Sequence, residues 1–444
     1  MFSLPRCQEI FAELLKCSEA DETELLIGGG THSLTRFANN TIHQNVAEEG
    51  YALSVRTSFG QRTARATTNR FDADSLQRVV AEASSLARQQ QPDPELLPMP
   101  SPQQYEPVNR YFEETANATA DQRAHGAVAA IRIAESSGQV AAGTLSTGEG
   151  MHALLNSRGL AAYYRGSHAE FSFTATAPTS TGWSKKSAPD LGEINVDALA
   201  AEACRIAARS AEPREIPPSR YTTILSPAAV LDLVGFMFYD FSGSALRDQR
   251  SFLTGRIGER LFDENISITD DVYHPLQSGA PFDGEGLARH RLTLVERGVV
   301  KELAYSRQSA KHAGIAPTGH GFSLPNEMGE FPMNIVIAGG DTSVDKMIAS
   351  TERGILVTRL WYIREVDPYK KILTGMTRDG TFLVENGKVQ HGVRNFRFNE
   401  SLLDLLNAVE MLSPAERAAG EESCPMVVPA MKVHSFNFTE VTKF

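Results

Sequence analysis

Cysteine is scarce in this 444-residue chain: Cys7, Cys17, Cys204 and Cys424 stand alone, with no CxxC pair. That excludes a disulfide-stapled fold and a zinc ribbon. Long apolar runs are missing as well. The longest candidate, 228–238, falls well short of the roughly 20 residues that span a bilayer, and Asp232 interrupts it. The N-terminus has no apolar core of a secretion signal, because Arg6, Glu9, Glu13 and Lys16 break it up. Ile10, Phe11, Leu14 and Leu15 instead form the stripe of an amphipathic helix. The cytoplasm is the expected compartment. Basic charge is in deficit, with 43 Lys+Arg against 54 Asp+Glu and a net charge of −11. Direct nucleic-acid binding needs clustered cations to displace counterions, so the balance argues against it. Neither nucleic acid nor membrane is an expected partner.

At this length the chain divides into two or three domains. A first unit, 1–90, reads as a helix, a meander of short strands and a second helix over Ala73 to Gln89, capped by Asp72 or Asp74. Its turns are placed at Asn39-Asn40, Glu49-Gly50 and Phe59-Gly60. Gly28-Gly29-Gly30 reads as a tight hairpin turn, since it lacks the lysine and spacing of a phosphate loop. Residues 91–110 carry six prolines from Pro92 to Pro107 and form an extended linker. A second unit, 111–211, repeats the order of the first, with helices over Ala120 to Ser136 and Val196 to Ser210 around strands 140–145, 151–156, 160–164 and 168–176. The repeated order raises internal duplication as a reading. A second linker, 212–219, leads to the largest unit, 220–444. This unit carries a helix near Pro227 to Phe241, strands including Ile355 to Ile363, and a helix over Ser401 to Met411. The fold class is α+β, with two small helix–meander–helix units and a larger mixed C-terminal domain.

Hydrolytic signatures are absent. No two histidines stand one helical turn apart beside a glutamate, and no Gly-x-Ser-x-Gly elbow occurs. His312 and His320 come closest to a ligand pair, but Gly314, Pro317 and Gly319 place them on a surface loop. The densest unusual segment runs from Arg359 to Tyr369 and on to Gly380. It would set Arg364 and Asp367 on one strand face near Thr374 and Arg378. These four groups form either an Arg–Asp pair locking two strands or the polar wall of a peptide groove.

Several ordered motifs resemble the TldD/PmbA family, a metallopeptidase group that includes TldE and was once described as modulators of DNA gyrase. They are 36–44, Ser54-Val55-Arg56, Asp283-Gly284-Glu285-Gly286, 294–298, Thr318-Gly319-His320-Gly321, Thr374 to Gly380, 384–389 and 395–401. The resemblance implies a heterodimer. A TldD-type chain carries a His-Glu-x-x-x-His helix and a distant cysteine as ligands for zinc or a similar divalent metal. A TldE-type chain lacks them and helps enclose a cleft for unfolded peptide. The matching helix here, 230–238, holds apolar residues at the ligand positions, and these offer no lone pair. Cys424 falls near the place of the family's cysteine. The chain is therefore read as the TldE-type subunit, with no metal of its own and its metal on the partner. The expected cleft residues are Thr318, Gly319, His320, Arg364, Asp367, Thr374 and Arg378. Two alternatives stay open: a self-sufficient homodimeric hydrolase with a metal at His312, His320 and Cys424, and a peptide-binding scaffold without catalysis.

Overall fold

Four of the N-terminal helices start where a side chain can satisfy their free N–H groups. Ser3 caps α1 (Leu4–Cys17), Asp72 caps α2 (Ala73–Gln89) and Thr119 closes a capping box on α4 (Ala120–Ser136), while Asn195 caps α5 (Val196–Arg209). A short α3 (Glu113–Ala116) precedes α4. Between them run six strands: β1 (Glu22–Ala38), β2 (Thr41–Phe59), β3 (Arg62–Thr68), β4 (Val140–Asn156), β5 (Ala161–Ala177) and β6 (Ser180–Ala188). The computed structural model describes residues 1–442.

The six strands form one sheet in the order β3-β2-β1-β4-β5-β6. The order is symmetric about the antiparallel pair β1–β4, so the two repeated units join edge to edge. Helices cover one face in two separate cores. Leu25, Ile27, Leu53, Val55, Met151 and Ala153 pack with α1 and α2. Phe37, Ala141, Leu145, Phe171 and Phe173 pack with α4 and α5. Each long strand thus serves both cores.

The expected breaks at Gly28–Gly30 and Glu49-Gly50 are absent: β1 and β2 run straight through them. The breaks expected inside β4 and β5 are absent too. Here glycine answers a lateral constraint. A Cβ on Gly30 would lie 1.9 Å from the Glu149 carbonyl oxygen. The turns at Asn39-Asn40 and at Gly60 do form, with positive φ at all three residues.

The C-terminal unit holds two sheets over one large core. The first comprises β7 (Arg220–Leu225), β12 (Arg353–Val357), β13 (Leu360–Asp367), β14 (Ile372–Thr377), β15 (Thr381–Glu385), β16 (Lys388–Gly392), β17 (Phe396–Ser401) and β21 (Met431–Val441), with β18 (Val409–Leu412) paired to β21. β13 is one edge. The second sheet comprises β8 (Ile268–Asp270), β9 (Leu292–Glu296), β10 (Val299–Val300), β11 (Ile335–Ile337), β19 (Glu416–Ala418) and β20 (Met426–Val428). Helices α6 (Pro227–Val234), α7 (Gly243–Arg247), α8 (Arg307–Ala313), α9 (Val344–Ala349) and α10 (Leu402–Asn407) lie among them. The long strand expected over 355–363 is two, and the helix expected to reach Met411 stops at Asn407, because β18 there pairs with β21. No helix among the described residues is long and apolar enough to cross a membrane.

The proline-rich linker is a strap. The Asn156 amide donates to the Pro100 carbonyl, the Tyr105 hydroxyl to the Gly286 carbonyl at 2.7 Å, and Arg110 to the carbonyls of Gln277 and His274.

Candidate functional site

Alternation along a strand sends every second side chain away from the helices. On the N-terminal sheet that second face is largely polar, apart from a small apolar patch of Leu26, Leu154 and Ala162 packed with Phe282, and it looks toward the C-terminal unit. Glu24 lies there, 1 % exposed. It accepts two hydrogen bonds from Arg56 and one from Arg65, whose Nε donates to the Leu324 carbonyl at 2.8 Å. Burial pushes the Glu24 pKa up, but the charges of Arg56 and Arg65 outweigh it and hold the carboxyl below its ordinary range. Farther along the same face, His32 and His168 meet, and Lys185 pairs with Glu170 at 3.3 Å.

Lys185 reaches across to the C-terminal unit and donates to the Gly420 carbonyl at 3.2 Å. The loop it touches, 420–424, is held from three sides. Asp232 of α6 accepts from the backbone N–H groups of Glu421, Glu422 and Ser423 at 3.0–3.2 Å. The Ile363 N–H on β13 donates to Glu422, and Arg359 pairs with Glu421 at 3.6 Å. Cys424, free and exposed, follows directly. Helix α6, the loop bearing Cys424, the β13 edge and the polar face of the N-terminal sheet therefore converge in one place.

A metal does not fit at this helix. Val230, Leu231, Leu233 and Val234 are buried in the core. The single carboxylate, Asp232, faces three N–H donors, an environment that suits an anion and not a cation. Among the described residues no group of three or more His, Cys, Asp or Glu could hold a metal ion.

Burial is the main reason the Asp232 pKa is pushed up to about 6, with the three N–H groups pulling against it. The folded chain thus holds this proton more tightly than the ordinary value of 3.8 allows. The group's contribution to stability is full below that ordinary value and is lost as pH rises through about 6. Asp232→Asn abolishes the titration. Relative to wild type, the variant should gain about 2–3 kcal/mol on going from about pH 4 to about pH 7. Urea unfolding at the two pH values reads this directly. A difference that does not change with pH would show that Asp232 stays ionised.

The seven expected cleft residues fall into two separate sets. Thr318, Gly319 and His320 form a knot beside β8. His320 is 2 % exposed, with Nε2 at 3.1 Å from Asp270 Oδ1 and Nδ1 at 3.0 Å from Thr318 Oγ1. The Thr318 hydroxyl also accepts from the Tyr305 N–H at 2.8 Å. Gly319 has φ +74°, and a Cβ on it would meet the Ala288 carbonyl oxygen at 2.0 Å. The expected surface loop with two histidines is thereby corrected: His320 is buried, and His312 lies in the last turn of α8, with Nε2 at 2.7 Å from Glu95. His312, His320 and Cys424 have separate surroundings.

The second set lies on β13, on β14 and, for Arg378, just past the end of β14. Arg364 stands opposite Thr374 in register. Its guanidinium stacks on Tyr362 at 4.4 Å and pairs with Glu422 at 3.5 Å. Asp367 accepts from the N–H groups of Tyr369 and Lys370 and closes the turn. The Arg364–Asp367 lock is therefore absent. Arg378 stacks on Trp361 at 4.2 Å, and the Thr374 hydroxyl donates to the Phe398 carbonyl.

Sequence reasoning missed the Glu24–Arg56–Arg65 cluster, the His32–His168 contact, and Glu285. Burial, then the nearby charge of Asp283, pushes the Glu285 carboxyl up to about 8 against Arg307. The advance signals were Asp232, a lone charge in an apolar helix, and the two family-like motifs that contain Arg56 and Glu285.

Comparison with known proteins places the whole arrangement. The PmbA/TldA metallopeptidase family matches in all three of its domains: domain 1 over residues 23–87, the central domain over 100–211 and the C-terminal domain over 218–440. An uncharacterized protein of Methanocaldococcus jannaschii is 25 % identical over 344 residues, which is 75 % of this chain and 79 % of that protein. A metalloprotease of Methanothermobacter thermautotrophicus is 26 % identical over 209 residues, 44 % of this chain and 43 % of that one, so the match spans less than half of that relative. The crystal structure of TldE from Thermococcus kodakarensis superposes with a TM-score of 0.88 at 21 % identity, over 98 % of this chain and 99 % of that one, and shares the α+β fold. The chain belongs to the PmbA/TldA (TldD/PmbA) metallopeptidase family.

Proposed function

We propose that this chain is the TldE-type subunit of a two-chain metallopeptidase acting on unfolded peptides. It pairs with a TldD-type subunit that carries the zinc or similar divalent metal. The observation that supports this most is the sealing of α6. Where a metal-bearing relative would offer ligands, this helix offers buried aliphatics and one carboxylate already filled by the 421–423 backbone. When bound to the partner, the metal would polarise the scissile carbonyl and activate water. This chain's own residues would hold the peptide. β13 is an edge strand whose Trp361, Tyr362 and Val366 are exposed. Such an edge can pair with an extended peptide through backbone hydrogen bonds, which tolerate varied side chains. Arg364, Asp367, Thr374 and Arg378 would flank that strand, while Thr318, Gly319 and His320 would brace the loops behind it. Cytoplasmic residence and a peptide-processing role belong to the same reading.

The test is reconstitution. The purified chain is mixed with a TldD-type partner from the same source, and peptide cleavage is followed with and without a chelator. Activity should rise about tenfold or more above the partner alone, the size of effect that a missing cleft wall produces through lost positioning, and the chelator should abolish it. A mixture no more active than the partner alone would overturn the reading.

A further inference from the structure

His32 on β1, Gly148 on β4 and His168 on β5 stand in one register row. Side chains in such a row project from the same face of the sheet. Any side chain at 148 would hold the two imidazoles apart. Glycine leaves the gap open, and a Cβ there would lie 2.7 Å from His168 Cε1. The rings close over it with 12° between their planes and 5.5 Å between centroids. Nδ1 of His32 is 3.2 Å from Nε2 of His168. Both strands lie inside the six-stranded sheet, so their separation is fixed by strands on either side.

Two nitrogens bound to one tetrahedral zinc, each at about 2.0–2.1 Å, lie about 3.3 Å apart. The observed separation is within a tenth of an ångström or so of that spacing. Each ring keeps a nitrogen free of any backbone or carboxylate hydrogen bond among the described residues. Desolvation in the cleft, then the neighbouring His32, holds His168 below the ordinary imidazole range. Glu48, the register partner of His32 on β2, brings negative charge to the same face. The pair opens on a cavity of about 300 Å³ whose walls include Glu170 and Arg417.

We propose that His32 and His168 form a two-histidine site for a divalent transition metal of the zinc, nickel or copper class. The remaining coordination positions are open to water, or to a carbonyl or carboxylate entering from the cavity. Imidazole nitrogen selects these metals over magnesium and calcium, which prefer oxygen. The site lies on the N-terminal sheet, across the cavity from Arg417 and Pro425 of the C-terminal unit, and does not depend on the pairing with a metal-bearing partner.

The probe is the metal itself, added to the metal-free full chain at neutral pH. Equilibrium dialysis against zinc should find one equivalent per chain, and magnesium should not compete. His32→Ala and His168→Ala should each weaken binding by about tenfold or more. His312→Ala and Cys424→Ser should leave it unchanged. With copper(II), the electron paramagnetic resonance spectrum should show coupling to two nitrogens, reduced to one in either cleft variant. His32 and His168 are exposed, so both variants should keep the wild-type circular dichroism spectrum. Absence of zinc binding in the wild type, or one equivalent retained in both cleft variants, would overturn the proposal.

Discussion

Glu24→Ala should destabilise the N-terminal sheet by about 3–5 kcal/mol, the cost of leaving a buried charge without its partner. Glu24 and Arg56 side chains are 1 % and 3 % exposed, and Arg65 is 16 % exposed. Removing the carboxylate leaves two guanidinium groups facing each other in a site that water barely reaches. The loss also propagates. Arg65 holds the Leu324 carbonyl, and Leu324 follows the Thr318–Gly321 knot, so the contact between the sheet and the C-terminal loops should loosen as well. The pH dependence has a fixed sign. The folded pKa of Glu24 lies below its ordinary 4.5. Its stabilising contribution is therefore present above that ordinary value and is lost as pH falls through the folded one. The gap between wild type and variant should be widest at neutral pH and shrink on acidification. A second variant separates charge from volume: Glu24→Leu with Arg56→Met should recover part of the loss, since it removes the fully buried pair, while the partly exposed Arg65 still loses its carboxylate. Urea midpoints for the three proteins decide the matter. Equal midpoints for wild type and Glu24→Ala would show that the cluster is solvated.

Helix positions were the most legible feature of the sequence. The α2 and α4 bounds match the expected Ala73–Gln89 and Ala120–Ser136, and the Asp72 cap that starts α2 is a local property of the sequence. The turn at Asn39-Asn40 was equally local. What escaped was everything decided by register. Gly148 matters because His32 and His168 flank it, and only the pairing of three strands reveals that. His320 reads as a loop histidine because glycines surround it, yet Asp270, fifty positions earlier, draws it into the interior. Asp232 and the 421–423 backbone are separated by almost half the chain. Family resemblance supplied the expectation of a TldE-type subunit, whereas the chemistry that seals α6 had to be read from the fold.

Gly30→Val should be the most damaging single change on the N-terminal sheet, costing about 4 kcal/mol or more, in the range reserved for substitutions that force the backbone apart. The argument rests on its neighbours. Gly30 stands opposite Gly50 on one side and Gly150 on the other, and Gly166 of β5 extends the row; its stretch across β2, β1 and β4 holds three glycines. The row crosses between the two cores, one built on α1 and α2, the other on α4 and α5. Composition alone treats the three alike. Their surroundings do not. A Cβ on Gly30 would lie 1.9 Å from the Glu149 carbonyl oxygen and 2.8 Å from the Gly150 Cα. Those are backbone atoms that cannot swing aside. A Cβ on Gly50 would meet nothing within 4 Å, and one on Gly150 only the Gly29 carbonyl oxygen at 3.9 Å. Gly50→Ala and Gly150→Ala should therefore stay within about 0.5 kcal/mol of wild type, as exposed or uncrowded positions do. Thermal unfolding of the three variants gives the comparison. If all three lose the same stability, flexibility of the row is what the sheet needs. If only Gly30 fails, the central strand is pinched between its neighbours, and that pinch joins the two halves of the sheet into one continuous face toward the C-terminal unit.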